Sequence, residues 1–186
     1  MDNSEALTRR ILRDIKVEVA GEIDRNFERQ AFFSKAWQRS KSPLRGNGHI
    51  LVNTGTLRRS VRSRSDASSI TFFSDLPYAA IHNEGGEIKV TAKMKRYFWH
   101  KYYEACGGFI RKKSGALSRS KKQEHLNSVA EFWKAMALMK VGSTIKIPQR
   151  RFIGTDPEME ASVKTIIENN VTAFIREGLE ETLKKK

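Results

Sequence analysis

The chain has 186 residues, 35 Lys and Arg against 21 Asp and Glu, and a formal net charge of +14. That length suits one domain, or one domain with an insertion, and it can bury a core without disulfides or metal. Apolar residues at 39% exclude wholesale disorder, no apolar run reaches the ~18–20 residues of a membrane helix, and the single cysteine, Cys106, excludes an internal disulfide. A lone cysteine agrees with a reducing compartment. The start, Met1-Asp2-Asn3-Ser4-Glu5, lacks the basic-then-apolar pattern of a signal peptide. The expected location is therefore the cytoplasm of the cell that makes it.

In chain order, a first long helix is predicted from Asp2–Ser4, which supply cap residues, with Glu5 in its first turn. Its apolar row is Leu7, Ile11, Ile15, Val19, Ile23, Phe27 and Ala31, at spacing four. Ser42-Pro43 and Gly46-Asn47-Gly48 mark a loop. Residues 69–73, 87–91 and 143–147 read as strands, the last two alternating apolar and polar as a sheet with one wet face requires. Residues 75–86 read as a compact helix capped by Asp75, with Pro77 in its first turn and Gly85-Gly86 as its stop. Residues 92–140 form an insertion between two strands: helices over about 92–105 and 123–140, and a Gly, Lys, Arg and Ser-rich loop whose composition suits a mobile segment. The last helix starts at a capping box, with Thr155 as cap and Glu158 three residues on. Its row is Met159, Val163, Ile167, Val171, Ile175, Leu179 and Leu183, again at spacing four.

Each step of four turns 400°, so such a row drifts about 40° per step around the helix. One flat partner cannot cover it. Either each helix is buried on more than one side, or its far end meets another subunit, which points to a homo-oligomer.

The positive charge is concentrated. Residues 35–64 hold eight basic residues and no acidic one; residues 89–122 hold eleven basic residues and one acidic residue, Glu104. These stretches carry +18, and the remainder of the chain −4. A field of that kind attracts a polyanion such as nucleic acid, or it is a solvated surface that keeps the protein in solution. Tyr97, Phe98, Trp99, Tyr102 and Tyr103 interleave with the second stretch. Such a run either stacks on bases or forms the buried side of an amphipathic helix, and the helical spacing favours the second.

Little in the chain suggests catalysis. His49, His82, His100 and His125 have no second His or Cys at metal-site spacing, so neither metal nor cofactor is expected. There is no phosphate-cradling glycine loop and no GxSxG elbow.

Four motifs in order carry a resemblance. They are the aromatic end of the first helix, Phe27 through Trp37; Leu51-Val52-Asn53-Thr54-Gly55-Thr56-Leu57-Arg58-Arg59-Ser60-Val61, similar to L-x-x-T-G-x-L-x-x-S; Tyr78-Ala79-Ala80-Ile81-His82-Asn83-Glu84-Gly85-Gly86, similar to Y-A-x-x-H-x-x-G; and Ile147-Pro148-Gln149-Arg150-Arg151-Phe152-Ile153-Gly154, similar to I-P-x-R-x-F-[IL]-G. Together they resemble the bacteriophage virion morphogenesis family, which overlaps tail-completion and head–tail joining proteins. The fold expected is a single α+β domain over residues 1–186, with two long terminal helices packed on a small antiparallel sheet and the basic helical insertion at about 92–140.

The resemblance implies a structural assembly protein of a tailed phage or prophage, not an enzyme. It would act in tail completion or head–tail joining through protein–protein contacts, in the host cytoplasm during assembly and then in the virion tail or neck. Its partners would be other neck or tail proteins and copies of itself, in a ring, with no membrane involved. A ring lining the DNA path would also make non-specific DNA contact. The alternative is a basic nucleic-acid-binding accessory protein.

The motif positions single out Thr54, Gly55, Leu57, Tyr78, His82, Gly85, Arg150, Arg151 and Phe152 as interface candidates. Arg beside an aromatic anchor suits an interface, while the same residues can equally hold turns and core together. Arg111, Lys112, Lys113, Arg119, Lys121 and Lys122 are the candidate DNA-facing cations.

Overall fold

The computed structural model describes residues 3–40, 42–44, 49–110 and 112–184. The expected cap at Asp2 and the Gly46-Asn47-Gly48 loop lie outside the described residues. The protein is mixed helix and sheet. Two long helices, α1 (Asn3–Arg29) and α6 (Pro157–Lys184), bracket three short β-ribbons and a helical hairpin.

The terminal helices lie antiparallel. Arg10 near the start of α1 donates from Nε to Asn170 Oδ1 at 2.7 Å and pairs with Glu177 at 3.2 Å. Asn170 in turn donates to Asp14 Oδ2 at 3.1 Å. At the other end Val19 and Val163 pack on Phe32, Phe33 and Met159. The winding row produces a gradient of burial. Leu7, Ile11, Ile15 and Val19 are half-buried, while Ile23 and Phe27 are buried. On α6, Met159 is buried, but Ile175, Leu179 and Leu183 are 56%, 61% and 74% exposed.

The last residue of the first row is not helical. α1 stops at Arg29 because Gln30 and Phe33 take left-handed φ values of 57° and 52°. Ala31 falls in a tight ribbon of β1 (Ala31–Phe32) and β2 (Lys35–Ala36). The Gln30 side chain replaces the helix ladder: its Nε2 donates to Phe27 O at 2.6 Å and to Ile50 O at 3.1 Å, and its Oε1 accepts from Ile50 N.

A short helix, α2 (Thr56–Arg59), leads into β3 (Val61–Ser65) and β4 (Ile70–Ser74), paired antiparallel from Val61↔Ser74 to Ser65↔Ile70. Asp66 closes their turn, accepting from Ser68 N at 2.9 Å and Ser69 N at 2.7 Å. After α3 (Ala79–Glu84), β5 (Gly86–Lys89) pairs antiparallel with β6 (Thr144–Ile147). Val90 and Ser143 extend that ribbon, through Val90 N to Ser143 O at 2.8 Å and Gly142 N to Val90 O at 2.8 Å. Between these strands stand α4 (Ala92–Gly107) and α5 (Lys121–Leu138).

The antiparallel sheet is divided into three separate two-stranded ribbons, because each short strand pairs with a single partner and the outer edges of the pairs do not join. Two expectations need correction. Asp75 does not cap α3: the helix starts at Ala79 behind a turn at Pro77-Tyr78, and Asp75 instead pairs with Arg62 at 3.6 Å. Asp156, not Thr155, caps α6, since its Oδ1 accepts from Glu158 N at 3.1 Å and its carbonyl from Glu160 N at 3.0 Å.

No sheet face organises the main core. Ile23, Phe27, Trp37, Ile50, Leu51, Leu57, Ala79 and Phe152 gather from a helix end, turns and loops. The Phe27 and Phe152 rings lie 5.0 Å apart, and Trp37 meets Phe27 edge-on at 5.6 Å. Phe152→Ala should lower the unfolding free energy by about 3–5 kcal/mol, read as a midpoint shift in guanidinium unfolding followed by circular dichroism. A loss under about 1 kcal/mol would remove Phe152 from its central place.

Candidate functional site

The segment leaving β6 is the centre of the candidate site. It runs through the apolar hub, where every backbone N–H and C=O must find a partner. Arg150 N donates to His82 O at 2.8 Å. Phe152 N and Ile153 N both donate to Asn83 Oδ1 at 2.9 Å. Arg151 O accepts from Trp37 Nε1 at 2.7 Å, and Phe152 O from Asn26 Nδ2 at 3.4 Å. The third and fourth motifs are thus one structure. Gly85, at φ 75°, is required there, because a Cβ would come within 2.9 Å of Gln149 N.

This geometry sorts the interface candidates. Phe152, Leu57 and Arg150 are buried in the chain itself and build the hub rather than a surface. Arg150 Nε donates to Gln38 O at 3.1 Å. The Arg151 guanidinium sits 5.4 Å above the Phe32 ring. Asn26 and Asn83, which the sequence does not single out, are the polar residues that make burial of the segment affordable.

The second motif is tied down in the same way. Leu51 and Gly55 have φ 64° and 70°, and Arg59 Nη2 donates to Thr54 O at 2.7 Å. Arg58 clasps α1: Nε and Nη2 hold Asp24, and Nη2 also reaches Glu28 at 2.7 Å. The hydrogen bonds from Arg58, with its charge, hold the Asp24 carboxyl below its ordinary value of 3.8 against the opposing effect of burial. Arg58 itself is pushed up, through its hydrogen bonds to Asp24 and Glu28.

Thr54, Leu57, Tyr78 and His82 do come together, with Leu51, Asn53 and Thr56, around an open cavity of about 210 Å³. Tyr78 meets His82 edge-on at 6.1 Å. The lining offers hydroxyls, an amide and an imidazole, a set suited to hydrogen-bonding another chain. Among the described residues no three His, Cys, Asp or Glu side chains are placed to hold a metal ion.

Within the α4–α5 hairpin Phe98, Ala130 and Ala137 are buried. Thr91 caps α4 by accepting from Met94 N at 3.2 Å, and Ser120 caps α5 by accepting from Gln123 N at 3.3 Å. The connecting loop is pinned: Ser118 N donates to Ile110 O and Lys112 N to Ala116 O, each at 2.8 Å. Gln123, fully buried, accepts from Ile110 N and donates to Asn127 Oδ1 at 2.7 Å. Composition alone did not predict this tether. The aromatic run is not simply a buried stripe either. Phe98 stacks on Trp133 at 5.8 Å, but Tyr97 and Tyr103 are exposed and Trp99 and Tyr102 half-buried. Lys112, Lys113, Arg119, Lys121 and Lys122 are all exposed at the loop end of the hairpin; Arg111 lies outside the described residues.

A hub of interlocked motifs with two projecting elements, the ends of the terminal helices and the hairpin, defines a scaffold that presents surfaces. Residues 2–172 match the phage virion morphogenesis family, and the chain belongs to it. No curated protein and no solved structure matches the chain. The family assigns a role in building the phage particle, and among the described residues no helix is long and apolar enough to cross a membrane.

The Arg58 clasp gives a pH signature. A carboxyl whose folded pKa is depressed contributes stability above its unfolded pKa and loses it as pH falls through the folded one. Asp24→Asn should therefore lower the melting temperature at neutral pH and reduce the further drop between about pH 4 and about pH 2. The exposed setting limits the effect to about 1 kcal/mol or less. Parallel melting curves of the two proteins that keep a constant gap over that range would contradict the assignment.

Proposed function

We propose that this protein is a structural assembly protein of a tailed phage or prophage that completes the tail or joins it to the head. It works by binding, not catalysis, with other neck or tail proteins and further copies of itself as partners. It is made in the host cytoplasm and ends in the virion tail or neck. The observation that carries this reading is the family match over residues 2–172.

The shape of the molecule supports it. Phe27, Trp37, Leu57 and Phe152 of the motifs are buried in holding the chain together, which leaves the outer elements to make contacts. On α6, Ile175, Leu179 and Leu183 continue the apolar row but stay exposed, because the row winds off the face that meets α1 at Asn170 and Glu177; Ile167 is exposed as well. Burying such residues releases about 25 cal/mol per Å² of apolar surface, so a neighbouring subunit is the natural cover. The cavity beside Tyr78 and Thr54 is a second contact point.

Inactivating this gene in the parent phage should leave filled heads beside separate or misfinished tails in electron micrographs, with tail length deciding between completion and joining. Normal infectious particles would refute the assembly role. Replacing Leu179 and Leu183 by Asp should shift the purified protein to monomer in sedimentation velocity while leaving its circular dichroism unchanged. An unaltered distribution of species would remove α6 from the interface.

A further inference from the structure

We propose that the α4–α5 hairpin binds the phosphate backbone of duplex DNA, a property that adds to the assembly role and does not depend on it. Residues 92–140 hold twelve Lys and Arg against Glu104, Glu124 and Glu131, a net +9 of the whole chain's +14. Several cations of α1 and the second motif, by contrast, are engaged: Arg10, Arg25, Arg29, Arg58 and Arg62 all pair with carboxylates. Among the described residues, Lys101 with Glu104 at 2.7 Å is the only ion pair that a hairpin cation makes. The hairpin's charge is therefore not neutralised within the chain.

The charge is also gathered in space. The pinned loop brings Lys112 and Lys113 to the same end as Arg119, Lys121 and Lys122. Lys121 and Lys122 occupy the first turn of α5, where the helix dipole already places partial positive charge and disfavours cations. That placement costs local stability and raises the potential at the tip, a combination that suits an incoming anion. Along α4, Lys93, Arg96 and His100 follow at helical spacing on one exposed face. The 16 residues of α4 extend it over about 24 Å, against one phosphate charge per ~1.7 Å of duplex axis.

The rings argue for the duplex backbone over unstacked bases. Trp99 stacks on Tyr103 at 6.0 Å and 27°, Tyr97 meets Trp133 at 5.9 Å, and Phe98 stacks on Trp133. These rings pack on one another and stiffen the arm that carries the charge.

The test is fluorescence anisotropy of the full chain with a labelled duplex of about 30 base pairs over a salt series. Engagement of about five phosphates gives a log–log salt slope near −4.5, so affinity falls about 500-fold between about 50 and about 200 mM salt, whatever the DNA sequence. The quadruple change Lys112→Glu, Lys113→Glu, Lys121→Glu, Lys122→Glu should weaken binding at least about 100-fold and flatten the slope by about 4. All four side chains are exposed, and Glu at the start of α5 suits its dipole, so the variant should fold; its circular dichroism checks this. Equal binding by both proteins, or none by either at about 50 mM salt, would overturn the proposal. So would tighter binding to single strands that is lost in Tyr103→Ala, or equally tight binding to phosphatidylserine vesicles, since those results assign the surface to bases or to membrane.

Discussion

A segment of irregular backbone threaded through an apolar hub is the constraint on which the rest of this fold depends. Residues 150–153 bury Phe152 against Phe27, and their backbone goes with it. An unpaired buried amide or carbonyl costs about 1–3 kcal/mol, so the segment needs a partner for each. Those partners come from three different parts of the chain: the His82 carbonyl and Asn83 of α3, Trp37, and Asn26 of α1. Asn26 shows the economy best, because its Oδ1 also accepts from Phe33 N at 3.0 Å and from Arg29 Nη2 at 2.7 Å. One side chain thereby fixes the end of α1, the first ribbon and the threaded segment.

The parts that sequence reasoning reads well are those where a local rule suffices. Both long helices follow from their apolar periodicity, and Gly85 follows from the turn that ends α3. The parts it misses depend on distant partners. Val61–Ser65 pairs along its whole length with β4, yet it has one apolar residue and no alternation to reveal a strand. Separate ribbons are indistinguishable from a single sheet until the strand partners are known. Asn26, Asn83 and Gln123 read as surface because hydropathy counts them as polar; only the buried backbone they satisfy explains them. The α6 cap is a different case. Thr155 and Asp156 both suit a cap, and Pro157 at the first helical position selects the residue just before it.

The interface candidates divide for a physical reason. Large apolar motif residues such as Phe27, Leu57 and Phe152 are consumed by the hub, whereas many of the exposed apolar and basic side chains lie outside the motifs. Leu179 and Leu183 on α6 and the lysines of the hairpin belong to this second group. A rigid centre fixes where such side chains stand, since a group is only as well placed as the element beneath it.

The attachment of the hairpin has a consequence for how such a chain changes over time. Its two ends leave the β5–β6 ribbon side by side at Val90 and Gly142, at the ~5 Å spacing of paired strands. A tight turn of a few residues closes the same gap. The geometry therefore lets the arm lengthen, shorten or alter its charge while the threaded hub stays the same, so arm and scaffold can change independently.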